Sequence, residues 1–396
     1  MNPSTTQELH VSIDVGCYQH DVSVGLANGQ YLGRFEINHN KAGFADFFEK
    51  IESYKILSNG VVSVAMEGYN GHARPLDKMI QSRYRLLNIN NLKLARFKEI
   101  FPGAAKTDAI DSRKGLELFQ LQQTLPLAKN VLQEVYEIPQ ENQELKRITR
   151  RRKRLVNERV RYINALQSDL RALSPGLVDI TKNVQNIWFL NFLSSSKDLS
   201  QLARKSKATL LNIKQVGSTY VQVILQWQTN AVFSDDVAFM SPMIQQDIAR
   251  IKALRTMILE LDKRVVQLLE QSEIGQRLLS IKGFGVTSCG ELAGEIGCIN
   301  RFKKESSLAL YIGTAALDNS SGKYQGSKRS KQVNQHAKAA MMSAVDHQRK
   351  GSEESQRYYE KKRKEGKTHN QAIRSLGRHL SRVIFKMLTN NRDFYV

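Results

Sequence analysis

The spacing of apolar residues changes character twice along the chain. In the first third it is short and strand-like. HVSIDVG (residues 10–16) alternates, and DVSVGLANGQYLGRFEI (21–37) sets Asn28-Gly29 between two β-rich runs, a hairpin signal. KAGFADFFEKIESYKI (41–56) has helical periodicity, whereas GVVSVAME (60–67) is the continuous β-branched block of a buried central strand. HARPLDKMIQS (72–82) reads as helix, RLLNIN (85–90) as strand, and NLKLARFKEI (91–100) and KTDAIDSRKGLELFQLQQTL (106–125) as helices. Three meandering strands followed by strand–helix repeats predict an α/β domain with a mixed sheet over residues 1–126.

Beyond it the period lengthens. Leu145, Ile148, Leu155, Ile163, Leu166, Leu170 and Leu173 mark one long helix, stopped at Pro175-Gly176. Ile244, Ile248, Ile251, Leu254, Ile258, Leu261, Val265 and Leu268 mark another, in alternating steps of three and four that predict a coiled-coil seam. Residues 127–272 are therefore expected to be long helices around a small helical insertion at about 177–242. A third, mainly helical domain is expected over 273–396. It opens with LLSIKGFGVTSCGELAGEI (278–296), a helix-hairpin-helix-like element whose Gly283 and Gly285 either bring backbone N–H groups to a phosphate or make an ordinary turn. The polar stretch NSSGKYQGSKRSKQ (319–332) then reads as a loop, and AKAAMMSAV (337–345) as a buried helix.

Charge narrows the function. Against 38 Asp and Glu the chain carries 59 Lys and Arg, a formal net charge of +21, which points to a polyanionic partner, nucleic acid first. No apolar run approaches membrane-spanning length and MNPSTTQELH has no signal-peptide pattern, so a cytoplasmic protein is expected, with no membrane partner. Three cysteines without a CxxC pair suit a reducing compartment and argue against a zinc site, and no P-loop or GxGxxG is present.

In so basic a chain the acids stand out. Asp108 and Asp111 are three residues apart, on one face of a helix. Asp14 lies inside a strand run, and Glu67 ends the central strand block. Converging carboxylates repel and raise one another's pKa unless a hard cation such as Mg²⁺ joins them. Two such ions about 4 Å apart can act on a phosphodiester. Singly, each acid has a plainer reading: Asp108 as a helix N-cap, Asp111 as a solvated first-turn acid, and Glu67 as a loop residue.

SIDVG, VAMEGYNG and KTDAIDS resemble the catalytic motifs of the DEDD insertion-sequence transposases, the group that includes the Piv-type DNA invertases, on a ribonuclease H-like (RuvC-like) fold. RLLSIKGFGVTSCGELAGEIGCINRF (277–302) and ALYIGTAALDNSSGKYQGSKRSKQVNQHAKAAM (309–341) resemble that family's second conserved domain, leaving the middle of the chain uncovered. The resemblance implies that Asp14, Glu67, Asp108 and Asp111 hold two Mg²⁺ ions and that Ser321, before Gly322, is a nucleophile toward DNA. It also implies donor and target DNA, a structured bridge RNA as guide, and a homo-oligomer, dimeric and tetrameric on nucleic acid. The chain departs from the family at Ala316, where a proline is usual, and at SKQVNQ, where a fuller basic-glycine motif is usual; Ser320 adjoins the serine.

The expected nucleic-acid contacts are Lys106, the run Arg150, Arg151, Arg152, Lys153 and Arg154, the two glycines Gly283 and Gly285, and Lys323, Lys328, Arg329 and Lys331 around the serine. For the run on the long helix, a solvated basic face is the plainer reading. Three functions fit the charge: a recombinase using metal and serine, a RuvC-like nuclease or Holliday-junction resolvase with no covalent intermediate, and a non-catalytic nucleic-acid-binding protein. The four acids favour the first two, and the serine domain favours the first.

Overall fold

The alternating run near the N-terminus forms strand β1 (Leu9–Val15). Its odd residues Leu9, Val11 and Ile13 enter one hydrophobic core, while His10 and Ser12 are buried on the opposite face. The Asn28-Gly29 signal becomes the turn between β2 (Gln19–Leu26) and β3 (Tyr31–Asn38), closed by Leu26 N–H donating to the Gln30 carbonyl at 2.8 Å. Helix α1 (Lys41–Lys55) starts at Asn40, whose side chain accepts from the Gly43 N–H. There follow β4 (Val62–Met66), α2 (Arg74–Gln81), β5 (Arg85–Ile89), α3 (Asn91–Lys98), α4 (Asp108–Thr124) and β6 (Leu132–Glu134). This computed structural model describes residues 7–58, 60–69, 71–98, 108–125, 131–322, 324–328, 330 and 333–394.

The sheet order is β3-β2-β1-β4-β5-β6. β1 runs parallel to β4 and β4 to β5, and the other pairs are antiparallel, so the sheet is mixed as expected. α1 and α2 cover one face through Phe44, Phe47, Ile51, Leu76 and Ile80. α3 and α4 cover the other, with Leu94, Leu118 and Phe119 against Ala65, Leu87 and Ile89. The first unit ends at Glu137 rather than at 126, because β6 pairs with β5 and completes the sheet.

The second unit, Ile138–Val396, is built on two long helices, α5 (Gln140–Leu173) and α9 (Val237–Gln271). They pack antiparallel: Glu144 pairs with Arg264, Arg152 with Asp262 and Glu158 with Arg250, and Leu155 meets Leu254 and Ile258 between them. α9 begins before Pro242 rather than after it, since a proline this near the start forgoes only one intrahelical hydrogen bond. Between them, α6 (Ile187–Leu193), α7 (Lys207–Leu211) and α8 (Ser218–Gln228) gather round Trp188, Phe189, Phe192 and Trp227 in a core shared with the inner ends of α5 and α9.

Among the described residues six further α-helices follow: α10 (Glu273–Leu279), α11 (Val286–Ile296), α12 (Glu305–Tyr311), α13 (Gln335–Gly351), α14 (Glu353–Lys364) and α15 (His369–Thr389). A two-stranded hairpin, β7 (Leu317–Ser321) and β8 (Tyr324–Lys328), lies between α12 and α13. Leu145, Val265, Leu268 and Leu269, from the outer ends of α5 and α9, join the core of these helices, so residues 138–396 form one unit where a boundary near 272 was expected.

One charge network lies inside this unit. Glu295 on α11 is 1% exposed and takes Arg150 Nε at 2.6 Å, Arg150 Nη2 at 2.9 Å and Asn334 Nδ2 at 2.7 Å. Burial alone raises its pKa, but the Arg150 and Asn334 hydrogen bonds, helped by Lys146, bring it below the ordinary carboxylate value. A depressed folded pKa stabilises above the unfolded value, about 4.3, and that stability is lost as pH falls through the folded pKa. Arg150→Ala, which strips this carboxylate of its bidentate partner, is expected to lose about 3 kcal/mol in urea unfolding at pH 7. The gap from wild type should narrow as pH falls toward 4.5, because the orphaned Glu295 then protonates. A gap independent of pH would exclude the ion pair as its source.

Candidate functional site

Helix α4 lies over β1, and two contacts mark its line. The His10 and Phe119 rings stack at 4.0 Å, and a Cβ on Gly115 would stand 2.1 Å from Ser12 Oγ, so the helix backbone meets the strand where only glycine fits. Four residues of helix and two of strand each advance about 6–7 Å. Carried on by the same steps, the spacing Phe119–His10, Gly115–Ser12 leads along the helix toward Asp111 and along the strand toward Asp14. Asp111 is buried and Asp14 half-buried.

The neighbouring strand brings the third acid. β1 and β4 run parallel with Ile13 opposite Met66, so Asp14 and Glu67 leave adjacent strand ends side by side, roughly 5 Å apart along the sheet. Ala65 packs on the α4 face, and half-buried Glu67 opens the turn that follows β4. Carboxyl ends of adjacent parallel strands are where open α/β sheets hold their ligands. Asp108 is the first residue of α4; its side chain, and all of Lys106, lie outside the described residues. Among the described residues no three His, Cys, Asp or Glu side chains stand close enough to hold a metal ion. The acids that the family resemblance names are all carboxylates, and an all-oxygen set suits a hard divalent cation better than zinc.

Asp21 was not among the residues read as functional from the sequence. It sits directly across from Asp14 on β2, is 4% exposed, and accepts from Arg34 Nε at 2.7 Å and from Ser112 Oγ at 2.5 Å. Its one legible signal is the polar beat of DVSV, which matches that of SIDVG across the hairpin.

The serine stretch is a hairpin and not the loop its composition suggests. Ser321 ends β7 opposite Tyr324, beside the turn at Gly322, whose φ of +55° favours glycine. Ser320 and Ser321 are both exposed, and strand alternation sends them to opposite faces of the ribbon. Lys328, expected beside the serine, pairs instead with Leu317 at the open end, four strand positions or roughly 13 Å of backbone away. Its side chain, and all of Lys323, Arg329 and Lys331, lie outside the described residues.

The basic run on α5 divides. Arg150 is held by Glu295 and Arg152 by Asp262, while Arg151, Lys153 and Arg154 are exposed. Gly283 has a packing reason, since a Cβ there would lie 2.6 Å from the Gln348 Cα; Gly285, the N-cap of α11, faces open space.

A family model described as a transposase, of the DEDD IS110 type, matches residues 11–175, and one described as the transposase IS116/IS110/IS902 family matches 275–360. Together they cover more than half of the chain. It belongs to the DEDD insertion-sequence transposase family. The insertion element IS110 uncharacterized 43.6 kDa protein of Streptomyces coelicolor is 32% identical over 136 residues, 34% of this chain and 33% of the relative. The insertion element IS900 uncharacterized 42 kDa protein of Mycobacterium paratuberculosis is 30% identical over 148 residues, 37% of each chain. The chain thus spans about a third of the length of these curated relatives. The first family region contains all four acids and the second contains Ser321. Among the described residues no helix is long and apolar enough to cross a membrane.

The hairpin tip yields a local test within the second family region. A Cβ on Gly322 meets nothing within 4 Å, so substitution there is opposed by backbone conformation alone. Gly322→Asn should keep the turn, while Gly322→Val should weaken it by about 1–2 kcal/mol. Cross-strand NOEs between residues 321 and 324 report it; equal NOEs in both variants would rule out a left-handed turn residue.

Proposed function

We propose that this protein is an insertion-sequence transposase that cuts and rejoins donor and target DNA, and that a structured RNA guides it. The observation that supports this most strongly is the docking of α4 on β1 at Phe119–His10 and Gly115–Ser12, in a direction that leads toward Asp111 on the helix and Asp14 on the strand that neighbours β4. Asp14, Glu67, Asp108 and Asp111 would hold Mg²⁺, two ions by resemblance to the family. Bound there, the metal supplies Lewis-acid stabilisation of charge on phosphate oxygens.

The chain's own residues do the rest. Ser321 Oγ attacks a DNA phosphorus: a Ser–O–P bond forms and the P–O bond to one deoxyribose breaks. The serine proton leaves, and the departing alkoxide takes one up. Attack on the phosphoserine by another DNA hydroxyl reverses the exchange, so bond energy is conserved between cutting and joining. Basic residues near the hairpin offset charge on the phosphate. Arg151, Lys153 and Arg154 contact the backbone of the guide RNA, being exposed and uncommitted to the carboxylates that hold Arg150 and Arg152. Active assemblies are homo-oligomers, dimers and tetramers on nucleic acid.

Three measurements test this reading. Asp111→Ala should lower Mg²⁺-dependent strand cleavage by at least about 10³-fold with nucleic-acid binding retained, and Ser321→Ala should form no covalent DNA adduct. Cleavage without an adduct in Ser321→Ala would instead favour a RuvC-like nuclease. Neutralising Arg151, Lys153 and Arg154 together should reduce the slope of log affinity against log salt by about 2 to 3. An unchanged slope would remove this face from the RNA interface.

A further inference from the structure

A chain of polar groups lies beneath the first turns of α4, outside the transfer chemistry above. Ser112 is fully buried and donates through Oγ to Asp21 Oδ1 at 2.5 Å. Ser23 Oγ lies 2.8 Å from Ser112 Oγ, and with the Ser112 hydrogen given to the carboxylate, Ser23 is the donor of that bond. Arg34 closes the other end, donating from Nε and Nη2 to Asp21 Oδ2, with Nη2 also reaching Glu36 at 2.8 Å. Both Asp21 oxygens are thus engaged, and its charge is balanced beside Asp14 rather than added to the repulsion there.

The positions of these groups give the relay its meaning. Ser112 follows Asp111 on the helix, and Asp21 is the cross-strand partner of Asp14. Consecutive helix residues point about 100° apart. A hydrogen bond that aims Ser112 at β2 therefore turns Asp111 away from β2, toward β1 and β4. The hydrophobic effect is itself non-directional, so a directional hydrogen bond at the first turns adds to what the Gly115 contact fixes further along the helix. A buried carboxylate in this place costs several kcal/mol unless fully partnered, so it is a poor means of adding stability alone.

We infer that the Ser23–Ser112–Asp21–Arg34 relay positions the acidic site by fixing the rotation and height of the first turns of α4, and with them the side to which Asp111 is turned when a divalent cation binds. This inference rests on the metal-site reading proposed above. Groups that orient carboxylate ligands by hydrogen bonding typically change metal affinity by 10- to 100-fold when removed.

The test is Mn²⁺ binding to the full-length protein, read by electron paramagnetic resonance, beside the Mg²⁺ dependence of strand cleavage and thermal unfolding. Ser112→Ala and Asp21→Asn should each weaken Mn²⁺ binding by about tenfold. Each should raise the Mg²⁺ concentration for half-maximal cleavage by a similar factor, with the rate recovering at saturating Mg²⁺. Ser23→Ala, which leaves the Ser112–Asp21 bond, should have a smaller effect. Phe119→Leu, at the far end of the same helix, should lower the melting temperature and leave Mn²⁺ affinity unchanged. Asp14→Ala should bind no Mn²⁺ at this site. Wild-type Mn²⁺ affinity in both Ser112→Ala and Asp21→Asn, with binding lost in Asp14→Ala, would overturn the relay and leave the metal site standing. Wild-type affinity in Asp14→Ala would overturn the metal site itself. Equal weakening by Phe119→Leu would reduce the relay to ordinary packing.

Discussion

The close approach of α4 to β1 is the contact on which the first unit turns. At Gly115 no side chain separates helix from strand, and the Ser12 hydroxyl occupies the space a Cβ would need. Helices and sheets ordinarily pack through interdigitating side chains, which hold their backbones apart. Removing that layer at one point lowers the helix onto the carboxyl ends of β1 and β4. Polar residues of β1, His10 and Ser12, that would otherwise face solvent are then buried under helix. The stack of His10 on Phe119 secures the far end of the same helix.

In the second unit, electrostatics serve structure as much as binding. Arg150, Arg152, Arg250 and Arg264 are each paired with a carboxylate across the α5, α9 and α11 surfaces. The basic excess available to nucleic acid is therefore smaller than the run KRITRRRKR suggests, and it lies on particular helix faces. The Glu295 network also reaches Asn334, which caps α13 by accepting from His336 and Ala337 N–H groups soon after the serine hairpin. One buried carboxylate thus joins the long helical pair to the segment that follows Ser321.

What the sequence made legible follows from how far apart the determinants lie. β1 to β5 and the long helices rest on local periodicity, and all were readable. β6 is only LQE, too short to show a period, and exists because β5 offers it an edge. The hairpin at residues 317–328 is polar on both sides, so composition marked it as loop while backbone pairing makes it sheet. The acids were legible as motif residues, but the buried polar partnerships were not: Asp21 and Ser112 lie 91 residues apart, and Arg150 and Glu295 lie 145 apart. A single chain carries no local sign of such partners.

The claim most open to direct measurement is that α4 lays Asp111 beside Asp14 and Glu67 as a cation site. Anomalous scattering from Mn²⁺ in crystals of the full-length protein bound to its nucleic acid measures it. The account predicts a manganese peak whose protein ligands are oxygens of Asp14, Glu67 and one or both aspartates of the first turns of α4. Manganese bound elsewhere with these acids turned to solvent, or no peak at all at saturating metal, would contradict it.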